Sequence, residues 1–253
     1  MSARPSLRAR LRAGDFPLGT FVASRDPAGC ELLGQLGFDL LCIDGEHAAM
    51  GIETVERLVA AAGHAQAPAI VRIAGNDEVA IATTLDTGAQ GVLVPRVESA
   101  EQALRALAAA RYPPIGKRGL GPSRATRHGT QIGSYRASAN DELLLAIQVE
   151  TGEAVTRLDE LLAVDGIDLY FVGPGDLACS LGIDDPASPE LRATVAAVIE
   201  RTRAAGRAAG VFAASAADAV AWRARGAQLV LLGSDLSWLA YGVREALAAV
   251  ASG

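Results

Sequence analysis

The chain has 253 residues, of which 50% are hydrophobic and 21% are charged, and its formal net charge is −6. This composition provides enough apolar residues for a sizeable core and argues against a disordered chain. The acidic balance, with dispersed arginines, disfavours nucleic-acid binding, and no apolar run is long enough to predict a membrane span.

The first fifteen residues, MSARPSLRARLRAGD, contain four arginines but no apolar stretch of the kind that a secretory signal has. We predict a short surface helix there, with an organelle transit peptide as the alternative. The three cysteines are widely spaced and form no CxxC motif, which predicts a reduced protein in the cytoplasm. Only three histidines are present, so a histidine-rich metal site is not expected.

Apolar runs alternate along the chain with Ala- and Leu-rich segments that carry charges at helical spacing. The eight runs span 18–22, 38–44, 68–73, 91–95, 143–150, 168–173, 210–213 and 228–233. Such repeated strand–helix units predict a parallel sheet of the α/β class, and eight of them are the number in a single-domain (β/α)8 TIM barrel over 1–253. An open doubly wound sheet is the alternative, but the chain has neither GxGxxG nor GxxxxGK[ST].

The segment 111–140 interrupts this regular pattern. Its thirty residues are rich in Gly, Pro, Ser and Arg, and no acid balances its six basic residues before Asp141. We predict a long loop between the fourth and fifth strands, which lies on the catalytic side of the sheet if its ordered part faces the strand ends. It is either a solvated basic loop or a lid for an anionic substrate, in which Arg118, Ser123 or Arg124 would hold the far end of the substrate.

Polar residues follow several of the predicted strands where each strand ends. In a barrel these carboxyl ends meet at one face, which is where active sites lie. The polar residues at the strand ends are Asp44, Glu46 and His47 after the second strand, Arg72 after the third, Gln148 and Glu150 after the fifth, and Asp176 after the sixth.

Glu150 and Asp176 come from neighbouring strands and would repel each other unless one were protonated or a cation joined them. Carboxylate oxygens without a nearby cysteine or histidine cluster suit Mg²⁺ or Mn²⁺. The alternative is that each acid only caps the helix that follows it.

His47 is the one histidine at a predicted strand end, and it is therefore the best candidate for a general base near neutral pH. An arginine at position 72 would be costly to bury unpaired, and a carboxylate substrate or a developing enolate would be a fitting partner. No lysine lies at a strand end, so a Schiff-base mechanism lacks its nucleophile. Asp86, in TTLDTGAQ, closes a helix, and its spacing alone would not select it.

Several motifs together resemble the HpcH/HpaI aldolase family of metal-dependent class II pyruvate aldolases. They occur in the family's order over nearly the whole chain: GFDLLCIDGEHA, PAIVRIAGND, LDTGAQGVLVPRVESAEQA, RYPPIGKRGLG, IQVET, FVGPGDLACSLG and LLGSD. The resemblance implies a TIM barrel in a homo-hexamer, arranged as a dimer of trimers, with the last helix exchanged between subunits. It also implies a divalent metal cofactor (Mg²⁺, Mn²⁺ or Co²⁺).

The activity implied by this resemblance is the reversible cleavage of a 4-hydroxy-2-oxo acid to pyruvate, or a related 2-oxo acid, and an aldehyde through a metal-stabilised enolate. By the same resemblance His47 is the general base, and Asp86 is the acid that pairs with it and raises its basicity. Arg72 is implied to stabilise the transition state.

The resemblance further implies that Glu150 and Asp176 ligate the metal, while Gln148 and the backbone of Gly175 contact the pyruvate part of the substrate. Gly175 is an alanine in some relatives, which is a mild departure because a backbone contact survives it. The GVFAAS stretch at 210–215 fits less well, so the aldehyde pocket is expected to differ there.

Two other functions are compatible with parts of this pattern. A CoA-thioester lyase of the citrate-lyase-β type would need a phosphate cradle for the CoA tail, and the sequence contains no clear one. A non-catalytic barrel that only binds a 2-oxo acid would be expected to have lost one or more of His47, Arg72, Glu150 and Asp176, but all four are present.

Overall fold

The computed structural model describes residues 5–252 and shows a closed barrel of parallel strands that pair in sequence order. The predicted (β/α)8 fold is therefore confirmed. The strands are β1 (Leu18–Val22), β2 (Leu40–Asp44), β3 (Ala69–Arg72), β4 (Gly91–Val94), β5 (Leu144–Val149), β6 (Leu169–Val172), β7 (Ala209–Ala213) and β8 (Leu229–Ser234).

Helices surround this barrel and return the chain from the carboxyl end of one strand to the amino end of the next. They are α1 (Leu7–Arg12), α2 (Pro27–Gln35), α3 (Ile52–His64), α4 (Glu78–Asp86), α5 (Ala100–Ala110), α6 (Ile132–Glu142), α7 (Gly152–Thr156), α8 (Leu158–Leu162), α9 (Pro174–Leu181), α10 (Pro189–Ala204), α11 (Ala216–Ala224) and α12 (Asp235–Ser252).

The strands are buried on both faces, which explains why they read as continuous apolar runs rather than as alternating ones. Alternate side chains point inward and outward. Leu40, Cys42, Ile70 and Phe171 belong to the cluster inside the barrel, whereas Leu41 belongs to the layer between the strands and the helices. The carboxyl end of the interior is thus the place where an inward-facing polar side chain enters the site.

The predicted N-terminal helix exists as α1, but it is not a surface helix. Leu7 and Leu11 lie four residues apart on one face of α1 and join the cluster inside the barrel. The hydroxyl of Ser6 caps the helix by accepting from the backbone N–H of Ala9. Helix α1 therefore closes the amino-terminal end of the barrel. Residues 1–4 of the predicted segment lie outside the described part.

The segment 111–140 differs from its prediction in two respects. Its last part is helical, because α6 begins at Ile132. The segment also follows α5 and leads into β5, which places it at the amino-terminal end of the barrel. There Arg111 donates to the carbonyl of Leu143 at 2.9 Å and to Asp168, just before β6, at 2.7 Å. The condition for a position on the catalytic side is not met, because the helix before the segment has already returned the chain to the opposite end.

Helix α12 leaves the barrel with most of its apolar side chains uncovered, although Trp238 packs against the core. None of the residues described in this helix is buried. Its exposed apolar residues are Leu236, Leu239, Tyr241, Val243, Leu247 and Val250. A helix with this much bare apolar surface is typical of an interaction site. Across residues 5–252 no helix combines the length and apolar character needed to cross a bilayer.

Candidate active site

Two neighbouring strands bring Asp44 and Arg72 together at the carboxyl end of the barrel. The two residues are register partners in the β2–β3 pair, so their side chains leave the sheet on the same inner face. Nε of Arg72 donates to Oδ1 of Asp44 at 3.1 Å, and Nη2 donates to Oδ2 at 2.7 Å. The guanidinium also lies 4.6 Å from the centre of the Phe21 ring. Arg72 is therefore fixed before any ligand arrives.

The charges of this pair stabilise each other. Burial acts to lower the pKa of Arg72, but the hydrogen bonds and negative charge of Asp44 outweigh it, so the pKa is raised. Burial likewise acts to raise the pKa of Asp44, and the Arg72 guanidinium outweighs it, so this pKa is lowered. The site therefore keeps a permanent cation at Arg72.

The turn after β2 presents Glu46 and His47 to the same space. Oδ1 of Asp44 accepts from the backbone N–H groups of both residues at 3.1 Å, an Asx-type turn. Nε2 of His47 lies 3.9 Å from Oε2 of Glu46 and 3.8 Å from Oδ2 of Asp176, and the His47 side chain is 56% exposed. An accessible imidazole beside two acids is placed to exchange a proton with a ligand or with solvent.

Glu46 is only partly neutralised. Its Oε2 atom lies 3.4 Å from Nη1 of Arg72, yet it is buried and has no hydrogen-bond partner among the described groups. Burial raises the pKa of this carboxyl, and the positive charges of Arg72 and His47 only partly oppose the effect.

Glu150 is buried at the end of β5. Its Oε1 accepts from the backbone N–H of Arg96 at 2.8 Å, and its Oε2 accepts from Nε2 of Gln148. Burial raises the pKa of Glu150 to about 7; the Arg96 hydrogen bond lowers it, while the charges of Asp176 and Glu46 raise it further. A carboxyl in such a place is costly to ionise unless a cation joins it.

Asp176 lies in the first turn of α9. Gly173, just before this helix, packs closely against side chains at the end of β5. A Cβ atom on Gly173 would lie 2.9 Å from Oε2 of Glu150 and 3.1 Å from Nε2 of Gln148. A Cβ atom on Gly175 would meet nothing within 4 Å, so a small side chain would fit there. Only glycine at 173 leaves room for both polar side chains.

These groups fit a divalent cation that keeps part of its shell as water or substrate. In the described residues no three or more His, Cys, Asp or Glu side chains converge as a complete ligand set. Glu150 and Asp176 nevertheless bring two negative charges into one site. Gln148 adds Oε1, a buried amide oxygen without a partner in the described structure. Mg²⁺ and similar ions are commonly held by one or two carboxylates and completed by ligand oxygens.

Asp86 does not join this set. It is the last residue of α4, which runs back from β3, and it therefore lies at the amino-terminal end of the barrel, opposite His47. Its Oδ1 accepts from Nη2 of Arg118 at 2.7 Å, and among the described ion pairs those of His47 are with Glu46 and Asp176. The pairing of Asp86 with His47 is not made within one chain. The motif TTLDTG already indicated this position, because a residue that closes a helix in a barrel cannot also lie at the carboxyl strand ends.

The basic segment also lies away from the site. Arg118 is buried against Asp86 and the rings of Tyr112 and Tyr135. The turn at 123–128 is hydrogen-bonded to the end of α4, where the N–H of Ala125 donates to the carbonyl of Asp86. Neither Arg118 nor Arg124 lies at the strand ends of its own chain, so a lid built from these residues is not formed within one chain.

Two groups had no assigned role in the sequence. The backbone of Arg96 supplies a hydrogen bond to Glu150 from a left-handed conformation (φ 52°), which non-glycine residues rarely adopt. Nothing in the sequence around Arg96 marks this conformation. Glu46 was visible in the DGEH motif, but its position between Arg72 and His47 depends on the turn that Asp44 organises.

The barrel carries an acid–base side chain, a fixed arginine and paired carboxylates at the carboxyl ends of its strands. TIM-barrel enzymes have their active sites at this end, so the fold and the site define an enzyme of this class. The chain belongs to the HpcH/HpaI aldolase/citrate lyase family, whose model matches residues 18–241. The predicted family is thereby confirmed, and so is its assignment as an aldolase, a carbon–carbon lyase.

Individual relatives agree with this placement. The chain is 42% identical to the 4-hydroxy-2-oxo-heptane-1,7-dioate aldolase of Salmonella dublin over 94% of this chain and 91% of that protein. It is 39% identical to the hydroxypyruvate/pyruvate aldolase of Roseovarius nubinhibens over 96% of this chain and 95% of that protein. A crystal structure of a family member from Burkholderia cenocepacia J2315 superposes with a TM-score of 0.92 at 32% identity, covering 96% of this chain and 98% of the other.

Proposed function

We propose that the chain is a divalent-metal-dependent aldolase that reversibly cleaves a 4-hydroxy-2-oxo acid into pyruvate, or a related 2-oxo acid, and an aldehyde. The observation that carries this proposal is the meeting of Glu150 and Asp176 with Arg72 and His47 at one end of the barrel. Relatives at 39–42% identity that are named aldolases support it, and their names favour it over a CoA-thioester lyase.

Glu150 and Asp176 would hold the metal ion. When bound, the ion supplies a Lewis acid for the oxygens of a 2-oxo acid. Gln148, whose Nε2 donates to Glu150, and the backbone of Gly175, next to Asp176 in α9, would orient the pyruvate part of the ligand. The natural ion is proposed to be Mg²⁺, Mn²⁺ or Co²⁺, since the donor set consists of oxygens.

His47 would move the proton during the reaction. Its imidazole lies at the open end of the site and is exposed enough to exchange protons with water. Arg72 would compensate the charge that develops on the ligand oxygen, because Asp44 already holds the guanidinium in place and no reorganisation is needed.

A homo-oligomer would complete both the fold and the site. The exposed apolar residues of α12 would be covered if this helix were exchanged with a neighbouring subunit, and a hexamer arranged as a dimer of trimers is the proposed assembly. The Asp86 side chain is 39% exposed at the opposite end of the barrel from His47. If the two residues pair at all, Asp86 must come from another subunit. The proposed location is the cytoplasm.

The function is tested by assaying pyruvate release from a panel of 4-hydroxy-2-oxo acids with the metal-loaded protein, with a CoA thioester included for the citrate-lyase-type alternative. Removal of divalent cations with a chelator should abolish cleavage, and Mg²⁺, Mn²⁺ or Co²⁺ should restore it. Full activity of the metal-free protein would refute the proposed metal dependence.

The shared site is tested by co-expressing two impaired variants, His47→Ala and Asp86→Asn. A mixed assembly contains some sites with an intact His47 from one subunit and an intact Asp86 from another, so its activity should exceed the average of the two parent variants. Mixing His47→Ala with Glu150→Gln is the matched control, because both changes lie in the site of one barrel. Equal behaviour of the two mixtures would show that Asp86 does not act across subunits.

A further inference from the structure

Arg72 offers one nitrogen to the site. Its Nε and Nη2 atoms are taken by Asp44, and the ring of Phe21 lies 4.6 Å from the guanidinium. Its Nη1 atom makes no hydrogen bond with any described group, and its ionic neighbour is Oε2 of Glu46 at 3.4 Å. The free donor of the guanidinium therefore points towards a carboxylate that it does not hydrogen-bond.

Glu46 has an acceptor atom without a donor among the described groups, just as Arg72 has a donor atom without an acceptor there. Its side chain is 14% exposed, and its Oε2 atom is buried without a donor in the described part of the protein. The other charged groups facing it do not satisfy it: Nε2 of His47 is 3.9 Å away, and the remaining neighbours, Asp44 and Asp176, are acids. Buried polar atoms in native proteins nearly always have a partner, so this carboxylate oxygen, which no described group hydrogen-bonds, is available to a donor group of a bound ligand.

A hydroxyl group is the ligand group that satisfies both atoms at once. Its oxygen can accept from Nη1 of Arg72 while its hydrogen is donated to Oε2 of Glu46. A carbonyl or carboxylate oxygen could accept from Arg72 but would meet the Glu46 carboxylate without a proton to give it. The pair therefore discriminates a hydroxyl from a bare acceptor.

We propose that Glu46 is a catalytic residue that accepts a hydrogen bond from the 4-hydroxyl group of the substrate, while Arg72 donates to the same oxygen. This inference rests on the proposed aldolase function. The contact exists with the hydroxy acid and is lost with the aldehyde product, which has no hydroxyl hydrogen to donate. Glu46 thus acts on the cleavage step and has no contact of this kind with pyruvate alone.

The experiment compares the wild-type protein with Glu46→Gln in three measurements. The first is kcat/KM for cleavage of 4-hydroxy-2-oxopentanoate, and the second is the inhibition constant of its deoxy analogue, 2-oxopentanoate. The third is the exchange of pyruvate methyl protons with deuterated solvent, which needs no hydroxyl group. Replacing a charged acceptor should lower kcat/KM about ten- to a hundred-fold. The inhibition constant and the exchange rate should stay within about two-fold, since neither ligand bears the hydroxyl group.

An equal loss of cleavage and of proton exchange would overturn the proposal, because Glu46 would then act by holding Arg72 or His47 in place. An unchanged kcat/KM would overturn it as well. If the wild-type protein neither cleaves the hydroxy acid nor exchanges pyruvate protons, the proposed function itself fails and this inference with it. Glu46→Asp is the second variant should Glu46→Gln not fold, and the same split between cleavage and exchange is expected. Glu101→Gln, at an exposed glutamate on α5, is the matched control and should leave all three measurements unchanged.

Discussion

The two ends of the barrel both bury charged groups, but they pair them differently. At the amino-terminal end Asp168 accepts from Nε of Arg8 at 2.5 Å, from Nη2 of Arg111 at 2.7 Å and from the backbone N–H of Leu145 at 3.0 Å. At the carboxyl end the pKa of Glu150 is raised to about 7, mainly by burial, and Oε2 of Glu46 has no donor among the described groups. The carboxylate of Asp168 is thus satisfied within the fold, whereas the carboxyl end leaves carboxylate and amide acceptors without donors in the described residues. Nη1 of Arg10 and Nε of Arg118, towards the amino-terminal end, are also buried without partners there, so the contrast concerns the Asp168 cluster.

This difference separates charges that maintain the fold from charges that act on a ligand. A fully hydrogen-bonded buried cluster locks elements together, here α1, the end of α5 and the start of β6. Incompletely paired groups lower stability and persist where function requires them. The two ends should therefore respond oppositely to substitution: changes at the amino-terminal end should lower stability, and changes at the carboxyl end should lower activity.

The largest effect on stability is expected from Asp168→Ala. It leaves Arg8 and Arg111 buried without their shared anion, which should lower the free energy of unfolding by about 3–5 kcal/mol. Denaturant unfolding measures the loss, and kcat at low temperature should change little. Asp165→Ala, whose carboxylate is 94% exposed beside Arg207, is the matched control. A similar loss in both variants would contradict the special role of the buried cluster.

The largest effect on activity is expected from His47→Ala. Removing a positioned acid–base group should lower kcat by about 10²–10⁴-fold while metal content stays nearly intact. Metal analysis beside the pyruvate-forming rate measures both quantities. Glu150→Ala should instead lose metal and activity together. His64→Ala, on the surface end of α3, is the control, and a wild-type rate in metal-loaded His47→Ala would show that another group moves the proton.

Glu150→Gln tests the difference between the two ends of the barrel directly, because this change should stabilise the metal-free protein while abolishing activity. A carboxyl whose folded pKa is raised from 4.5 to about 7 favours the folded state below its unfolded pKa and loses that advantage as pH rises through the folded pKa. Replacing it with an uncharged amide should therefore raise the free energy of unfolding by up to about 3 kcal/mol above pH 7, and hardly at all near pH 4.5.

Denaturant unfolding of the metal-free protein at pH 5 and pH 8 measures this difference. Glu153→Gln, at an exposed residue of α7, provides the comparison and should show no such dependence on pH. A Glu150→Gln variant that is less stable than the wild type at pH 8 would mean that the ionised carboxylate contributes to folding even without a metal ion.

The smallest effects are expected from two glycines that lie two residues apart. Gly173→Ala would bring a Cβ atom against Glu150 and Gln148, and overpacking of this kind costs about 1–3 kcal/mol. It should also displace both polar side chains and lower kcat/KM. Gly175→Ala meets open space and should change both quantities little. Thermal unfolding and the cleavage assay distinguish the two variants, and equal tolerance at both positions would place Gln148 and Glu150 outside the site.

Much of the site could be predicted from the sequence, because the periodicity of the strands and their order along the chain determine which residues meet at one end of the barrel. Alternate residues of a parallel strand face the barrel interior, so the residues that end β2, β3 and β5 had to meet, and Asp44, Arg72 and Glu150 do lie at one end. The same reasoning, applied to α4, assigns Asp86 to the opposite end. The side of the barrel on which segment 111–140 lies was left open, because that position depends on the helix before the segment and not on the number of strands.

The sequence by itself determined the barrel, the family and the set of side chains at the strand ends, because hydrophobic periodicity and strand order are local properties of the chain. Only the tertiary structure decided which charges pair. In the folded chain Asp44 pairs with Arg72, and the backbone N–H of Arg96 donates to Glu150. Oε2 of Glu46 has no donor among the described groups. Pairing depends on distances of a few ångströms between segments far apart in sequence. It also depends on burial, which is the largest of the effects that bring the pKa of Glu150 close to neutrality.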